Sequence, residues 1–132
     1  MPSISPIVSV VIPTNNRELL LSRALKSVVD QSYTNWEAIV VDNHSQDNTD
    51  EVIYNFGDSR IKLLKIHNKG IIAASRNLGI KAACGDWIAF LDSDDWWSPI
   101  KLERSLQFLN SGADIVYHDL FIVKNKKQKY FL

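Results

Sequence analysis

Five short apolar runs recur along the chain, and between each pair lie apolar residues at helical spacing. The runs are Ile7 to Pro13, Trp36 to Asp42, Ile61 to Ile66, Trp87 to Asp92 and Asp114 to Tyr117. A strand covered on one face alternates apolar and polar residues, but stretches such as Val10-Val11-Ile12 do not alternate, and they predict strands buried on both faces. Leu19, Leu20, Ala24, Leu25, Val28 and Val29 supply the first helical pattern. Val52, Ile53 and Phe56 mark a shorter second helix, with Asp47 and Asn48 as capping candidates, and Ile72 to Ala83 makes the third. Ser98-Pro99 reads as the cap and first residue of a fourth, carried by Ile100, Leu102, Leu106 and Leu109 to a stop at Ser111-Gly112. Strands alternating with helices require right-handed crossovers. The expected fold class is therefore α/β, a mostly parallel central sheet with helices on both faces. With 132 residues, 45% of them apolar and 10% aromatic, the chain can bury one core, and no repeat or linker divides it. A single domain over residues 1–132 is expected.

Charge and cysteine content exclude several classes. Fifteen basic residues balance fifteen acidic ones, so nothing draws the chain as a whole to nucleic acid. The lone Cys84 has no partner for an internal disulfide and is expected to pack as a small apolar residue at the helix ending Ala82-Ala83-Cys84-Gly85, with a catalytic thiol as the alternative. The N-terminus has no basic stretch leading into an apolar core, and no apolar run approaches the roughly 20 residues that cross a bilayer. A cytoplasmic location follows as the expectation. Attachment to the cytoplasmic face of a membrane through sequence outside this chain stays open.

Open α/β sheets bind ligands outside the carboxyl ends of their strands, and the polar residues gather there. Strand one runs into Pro13-Thr14-Asn15-Asn16-Arg17, strand two into Asp42-Asn43-His44-Ser45, and strand three into His67-Asn68-Lys69-Gly70. Asn43, Asn48 and Asn68 read most simply as turn and cap residues, which such loops use in any case. Strand four is different, because Ala89-Phe90-Leu91 leads directly into Asp92-Ser93-Asp94-Asp95, with Asp86 one strand-length earlier. Crowded carboxylates raise one another's pKa, and a hard divalent cation is their natural compensation. Residues 13–17 contain no glycine and no P-loop is present, so a phosphate-bearing ligand must be held without a glycine-rich loop. A metal bridging carboxylate and diphosphate would serve, with Arg76 assisting from the third helix. Trp96 and Trp97 allow two readings, stacking on a sugar or anchoring the loop to the next helix, with Trp96 the expected anchor. Trp36 and Trp87 open strands and are read as structural.

Four segments together resemble the family 2 glycosyltransferases of the GT-A fold. They are Val8 to Arg17, Val40 to Thr49, Ser75-Arg76-Asn77-Leu78-Gly79 and Phe90 to Asp95, in order and at matching spacing over about residues 7–118. The resemblance implies a metal-dependent enzyme that takes a sugar from a nucleotide diphosphate donor, usually a UDP-sugar. It passes that sugar with inversion to the hydroxyl of a saccharide or lipid-linked acceptor, in settings such as surface polysaccharide assembly. By the same resemblance Pro13, Thr14, Asn16 and Arg17 border the nucleoside, Asp42 accepts a hydrogen bond from the base, and Arg76 faces base and diphosphate. Asp92-Ser93-Asp94 corresponds to the DxD motif. Asp92 and Ser93 then lie near the ribose, Asp94 holds Mn²⁺ or Mg²⁺ with Asp92 as a second candidate ligand, and Asp95 supports it. Asn15 departs from the usual aromatic residue, and Asn43-His44 replaces the frequent Asp-Gly, which makes uridine preference the less secure inference.

No catalytic base is assigned. In the family this carboxylate belongs to a later segment, and nothing in residues 119–132 matches it; His118 and Asp119 are the nearest substitutes, against a plain strand-end turn. Lys124 to Leu132 reads as a basic hairpin turn entering a strand. The expectation is the donor-binding portion of a longer enzyme, with an exposed sheet edge through which copies could self-associate. A nucleotide-binding or interaction module without turnover is the alternative. A nucleotidyltransferase would be expected to carry a glycine-rich, basic first loop, which residues 13–17 do not supply.

Overall fold

The computed structural model describes residues 6–117 and the backbones of two further strands within 120–131. The elements alternate as β1 (Val8–Thr14), α1 (Glu18–Val29), β2 (Trp36–Asn43), α2 (Thr49–Phe56), β3 (Ile61–Ile66), α3 (Ile72–Ala82), β4 (Trp87–Phe90) and α4 (Lys101–Asn110), followed by β5 (Leu120–Lys124) and β6 (Lys127–Phe131). The first four strands form one parallel sheet in the order β3-β2-β1-β4. The chain winds outward from β1 through β2 to β3 and then returns to place β4 on the other side of β1. That reversal puts a crevice at the carboxyl ends of β1 and β4.

The two sheet faces are filled by different helices. Val8, Val10 and Ile12 of β1 and Trp36, Ala38 and Val40 of β2 point to one face, where Leu21, Ala24, Leu25 and Val28 of α1 and Leu102 and Leu106 of α4 close the core. Ile53 and Phe56 of α2 pack against the same cluster. Val11, Ile39 and Val41, one residue out of phase, are equally buried and lie under α3. There Gly79 permits close approach, since a Cβ at that position would sit 2.5 Å from Val11 Cγ1 and 3.3 Å from Val41 Cγ2. Burial on both faces is the physical reason the first two strands lack alternation in sequence.

Several boundaries differ from expectation. Asp114 to Tyr117 is not a strand: Ile115 and Tyr117 are exposed and the segment pairs with nothing described. A run of three apolar residues is too short to separate a buried strand from a loop. Further on, β5 and β6 pair antiparallel, with Leu120 opposite Phe131 and Lys124 opposite Lys127. His118 and Asp119 lie outside the described residues. α4 begins at Lys101 and not at Pro99; the Lys101 amide donates to the Ser98 carbonyl at 3.1 Å, and the Leu102 amide to Gln31 Oε1, from the loop after α1, at 3.0 Å. Asp47, not Asn48, satisfies the start of α2, accepting the Thr49 amide at 3.2 Å. Cys84 is exposed, because α3 ends at Ala82 and the turn after it faces outward. β4 stops at Phe90, opposite Val11, while β1 continues to Thr14. The acidic loop therefore starts alongside the last residues of β1. Among the described residues β3 and β4 are the two edges of the parallel sheet. No described helix is long and apolar enough to cross a membrane.

Candidate active site

The loops after β1 and β2 are tied to each other by side chains. Asn16 adopts a left-handed conformation, φ 49°, which asparagine tolerates better than most residues. Its amide donates to Ser45 Oγ at 2.9 Å, and its Oδ1 accepts the Gln46 amide at 2.7 Å. Asn15 donates to the Asn43 carbonyl. Asn43 and Asn68 bond each other, and Asn68 Oδ1 also accepts the Ile71 amide at 3.0 Å ahead of α3. These two asparagines organise turns, as the simpler reading of the sequence had it.

Asp42, next to last in β2, is almost fully buried, and its two oxygens have different surroundings. Oδ1 accepts the amide and hydroxyl of Ser45, whereas Oδ2 has only Lys65 Nζ, at 3.8 Å. Lys65 is engaged more closely by Asp50, at 2.7 Å. A cavity of about 290 Å³ is lined by Asp42, His44, Ser45, Lys65, Ile66 and His67. His44, held at φ 56°, stacks on His67 with ring centroids 4.1 Å apart and planes 10° from parallel. The cavity thus offers a flat aromatic wall and one carboxylate oxygen able to accept a further hydrogen bond. Thr14, buried at the end of β1, has a hydroxyl without a partner, and so does Arg76 at Nε. Buried polar atoms left unpaired at a strand-end crevice are candidates for bonding a ligand.

The acidic loop occupies the other side of the crevice. Asp92, Asp94 and Asp95 are exposed, and one oxygen from each lies within 4.8 Å of the others. Oxygens bound to a single cation at about 2.0–2.6 Å cannot be more than about 5 Å apart, so this set fits one hard divalent ion. Arginines stand around it: Arg76 Nη2 contacts Asp92 Oδ1 at 2.8 Å, and Arg17 Nη1 contacts Asp94 Oδ2 at 2.8 Å. Arg23 donates to the Asp94 carbonyl at 2.9 Å while its guanidinium lies 3.9 Å over the Trp96 ring. Ser93 points the other way from its acidic neighbours and is buried, which makes it a support of the loop and not part of its open surface.

The anchor of this loop is Trp97, not Trp96. Trp97 is 7% exposed and belongs to the core with Leu102 and Leu106, while Trp96 is 43% exposed. Neighbouring residues in an extended loop face opposite ways, and the phase is set by which one meets α4. Of the residues singled out in the sequence, Asn16 and Asp42 gather on the cavity side, Arg17, Arg76, Asp92 and Asp94 on the acidic side, with Pro13 and Thr14 between at the end of β1. Arg23, Lys65 and His67 join them without having been assigned a role. His67 followed a strand end and so carried a positional signal; Arg23 is one cation among several on α1 and carried none.

Comparison with known proteins places this arrangement in context. The family model described as Glycosyl transferase family 2 matches residues 9–132. The chain is 41% identical over 120 residues to the Escherichia coli UDP-Glc:alpha-D-GlcNAc-diphosphoundecaprenol beta-1,3-glucosyltransferase WfgD, covering 90% of this chain and 47% of that protein. It therefore spans about half the length of that curated relative. Among solved structures, S. aureus TarS 1-349 in complex with UDP-GlcNAc superposes with a TM-score of 0.75 at 29% identity, over 79% of this chain and 31% of that one. The mannosyltransferase PcManGT from Pyrobaculum calidifontis, in complex with GDP-Man and Mn²⁺, shares the fold, with a TM-score of 0.71 at 24% identity over 81% of this chain and 33% of that one. The sheet and helices are those of the GT-A fold.

Proposed function

The chain belongs to glycosyl transferase family 2, and from that membership we propose that residues 1–132 form the donor-binding domain of a metal-dependent, inverting glycosyltransferase. Its donor is a nucleotide diphosphate sugar, with UDP as the nucleotide, and its acceptor is the hydroxyl of a saccharide or lipid-linked glycan. The observation that carries this reading is the pairing, in one crevice, of a carboxylate-bearing aromatic cavity with a three-carboxylate set of cation-binding dimensions.

The parts have distinct tasks. The cavity beside Asp42 takes the base, whose N–H donates to Oδ2 while the His44–His67 stack forms the wall. Pro13, Thr14 and Asn16 border the nucleoside, and the unpartnered Thr14 hydroxyl is free to bond it. Asp92 lies toward the ribose with Ser93 holding the loop beneath, and Arg17 and Arg76 are within reach of the diphosphate. Asp94, with Asp92, would hold Mn²⁺ or Mg²⁺, which when bound neutralises charge on the departing diphosphate. No described residue is assigned as the base that removes the acceptor proton. The name of the Escherichia coli relative, with its UDP-glucose donor and diphosphoundecaprenol-linked acceptor, supports a UDP-sugar and a lipid-linked acceptor.

Calorimetric titration of UDP tests the reading. Binding is expected with Mn²⁺ and is expected to disappear with EDTA and in Asp94→Ala, whose exposed side chain leaves the fold intact. If folded protein with Mn²⁺ gives no heat with UDP, GDP or dTDP, the donor-site reading is wrong.

A further inference from the structure

We propose that Arg17 and Arg76 are exchangeable counterions: they hold the acidic loop in the ligand-free protein and pass to the diphosphate when a nucleotide enters. Cation and nucleotide then bind as a coupled pair. This rests on the donor-site reading above and goes beyond it by assigning an order to the charges.

The geometry supplies the argument. Asp92 and Asp94, the two carboxylates proposed to face the cation, are each already paired with a guanidinium at 2.8 Å. The arginines come from different elements, Arg17 from the end of β1 and Arg76 from α3, and converge on the loop from two sides. Arg23 adds a third guanidinium to the loop, on the Asp94 carbonyl. Crowded carboxylates alone called for a cation in the sequence; folded, two of them, Asp92 and Asp94, are paired with arginine. A divalent ion approaching without nucleotide must displace or sit beside these guanidinium groups, and it gains correspondingly little.

A diphosphate changes that balance. Its paired oxygens match the planar guanidinium fork as well as a carboxylate does, and it carries more negative charge than one carboxylate. Both ion pairs are about half exposed, with side-chain exposures of 47% and 48% for Arg17–Asp94 and 39% and 49% for Arg76–Asp92. Pairs of that kind are weak enough to exchange. Once the guanidinium groups have turned to phosphate, the carboxylates are free for the cation. Arg76 also has an Nε–H without a partner to offer. Arg23 does not take part in the exchange, because it grips a backbone carbonyl and the Trp96 ring, and so it keeps the loop in place. Linkage makes the effect reciprocal: nucleotide strengthens cation binding by the factor by which cation strengthens nucleotide binding.

The test is Mn²⁺ affinity, followed by calorimetry or by the EPR signal of free Mn²⁺, for wild type, Arg17→Gln and Arg76→Gln, each with and without UDP. Lys26→Gln, which removes an equal charge from an exposed pair elsewhere on α1, is the control. Without nucleotide, the arginine variants are expected to bind Mn²⁺ about three- to tenfold more tightly than wild type, with Lys26→Gln unchanged. The factor by which UDP strengthens Mn²⁺ binding is expected to shrink in them. If both arginine variants bind Mn²⁺ alone no more tightly than wild type while UDP still binds with Mn²⁺, the exchange is refuted and the donor site stands. If they tighten Mn²⁺ but UDP leaves it unaffected in every protein, the nucleotide handover fails together with the donor reading.

Discussion

Glu37 is the buried carboxylate on which the far end of the sheet depends, and Glu37→Gln measures how much. It is 3% exposed. Oε1 accepts Ser9 Oγ at 2.7 Å and the Cys84 amide at 2.6 Å, and Oε2 accepts Lys62 Nζ at 2.6 Å. Ser9 Oγ in turn accepts the Gly85 amide at 2.8 Å. One side chain thus joins β1, β2, β3 and the turn after α3. Burial pushes its carboxyl pKa upward, but the hydrogen bonds from Cys84, Lys62 and Ser9 outweigh burial and hold it below its ordinary value of 4.5. Glutamine keeps an acceptor but removes the charge and turns an NH₂ group toward Lys62. A charge-assisted hydrogen bond contributes about 1 kcal/mol more than a neutral one, and three are weakened. Lys62 is half exposed and regains water, so the expected loss is about 2 kcal/mol, or about 8 °C in Tm for a domain of this size. The pH dependence has a fixed sign. A carboxyl lowered in the folded state stabilises above its unfolded pKa and loses that contribution as pH falls through the folded pKa. Melting followed by circular dichroism should therefore show the wild type ahead of Glu37→Gln at pH 7, with the gap narrowing as pH falls below 4.5. A gap under 2 °C at pH 7, or one that does not narrow on acidification, would refute the reasoning.

Two further substitutions separate fold from site. Gly85→Ala places a Cβ 2.7 Å from Ser9 N and Oγ and 2.9 Å from the Val8 carbonyl carbon; backbone cannot yield there, so a loss of about 2 kcal/mol or more is expected, and an unshifted urea midpoint would sink it. Asp42→Asn should lower UDP affinity in Mn²⁺ about tenfold by replacing the acceptor at the base while leaving Mn²⁺ affinity without nucleotide unchanged; equal UDP affinity in titration would remove Asp42 from base recognition.

What could be read from the sequence follows what each feature depends on. β1 to β4 and their helices were legible because burial on both faces removes alternation from Val8–Thr14 and Trp36–Asn43, and because the helical runs repeat at their own period. The strand-end positions of Asp42 and Asp92 followed from that order. Asp114 to Tyr117 misled because three consecutive apolar residues carry no usable period. Trp96 and Trp97 were both visible, but which is buried depends on where Leu102 and Leu106 lie, and that is a tertiary fact. Cys84 could not be placed for the same reason: its exposure depends on the direction of the turn that leaves α3. The arginine partners of Asp92 and Asp94 lie 16 and 77 residues away in the chain, and no local pattern encodes such pairs.

Both ends of this sheet gather carboxylates, and what distinguishes them is whether the partners can leave. Glu37 is enclosed, and its donors include two backbone or hydroxyl groups fixed by the strands and the turn that carry them. Releasing any of them exposes a buried charge, so the network is tied to the folded state. Asp92 and Asp94 are exposed and held by long side chains that can turn to another acceptor without moving a strand. Charge at that end can be redistributed at the cost of a few exposed contacts because the other end does not give way. The two kinds of variant should therefore separate: Glu37→Gln is expected to lower Tm and leave Mn²⁺–UDP binding intact below the melting range, whereas Arg17→Gln is expected to change cation binding with Tm nearly unmoved. If Glu37→Gln altered Mn²⁺ affinity as strongly as Arg17→Gln does, the two ends would be one coupled network, and the acidic loop could not exchange its counterions independently of the fold.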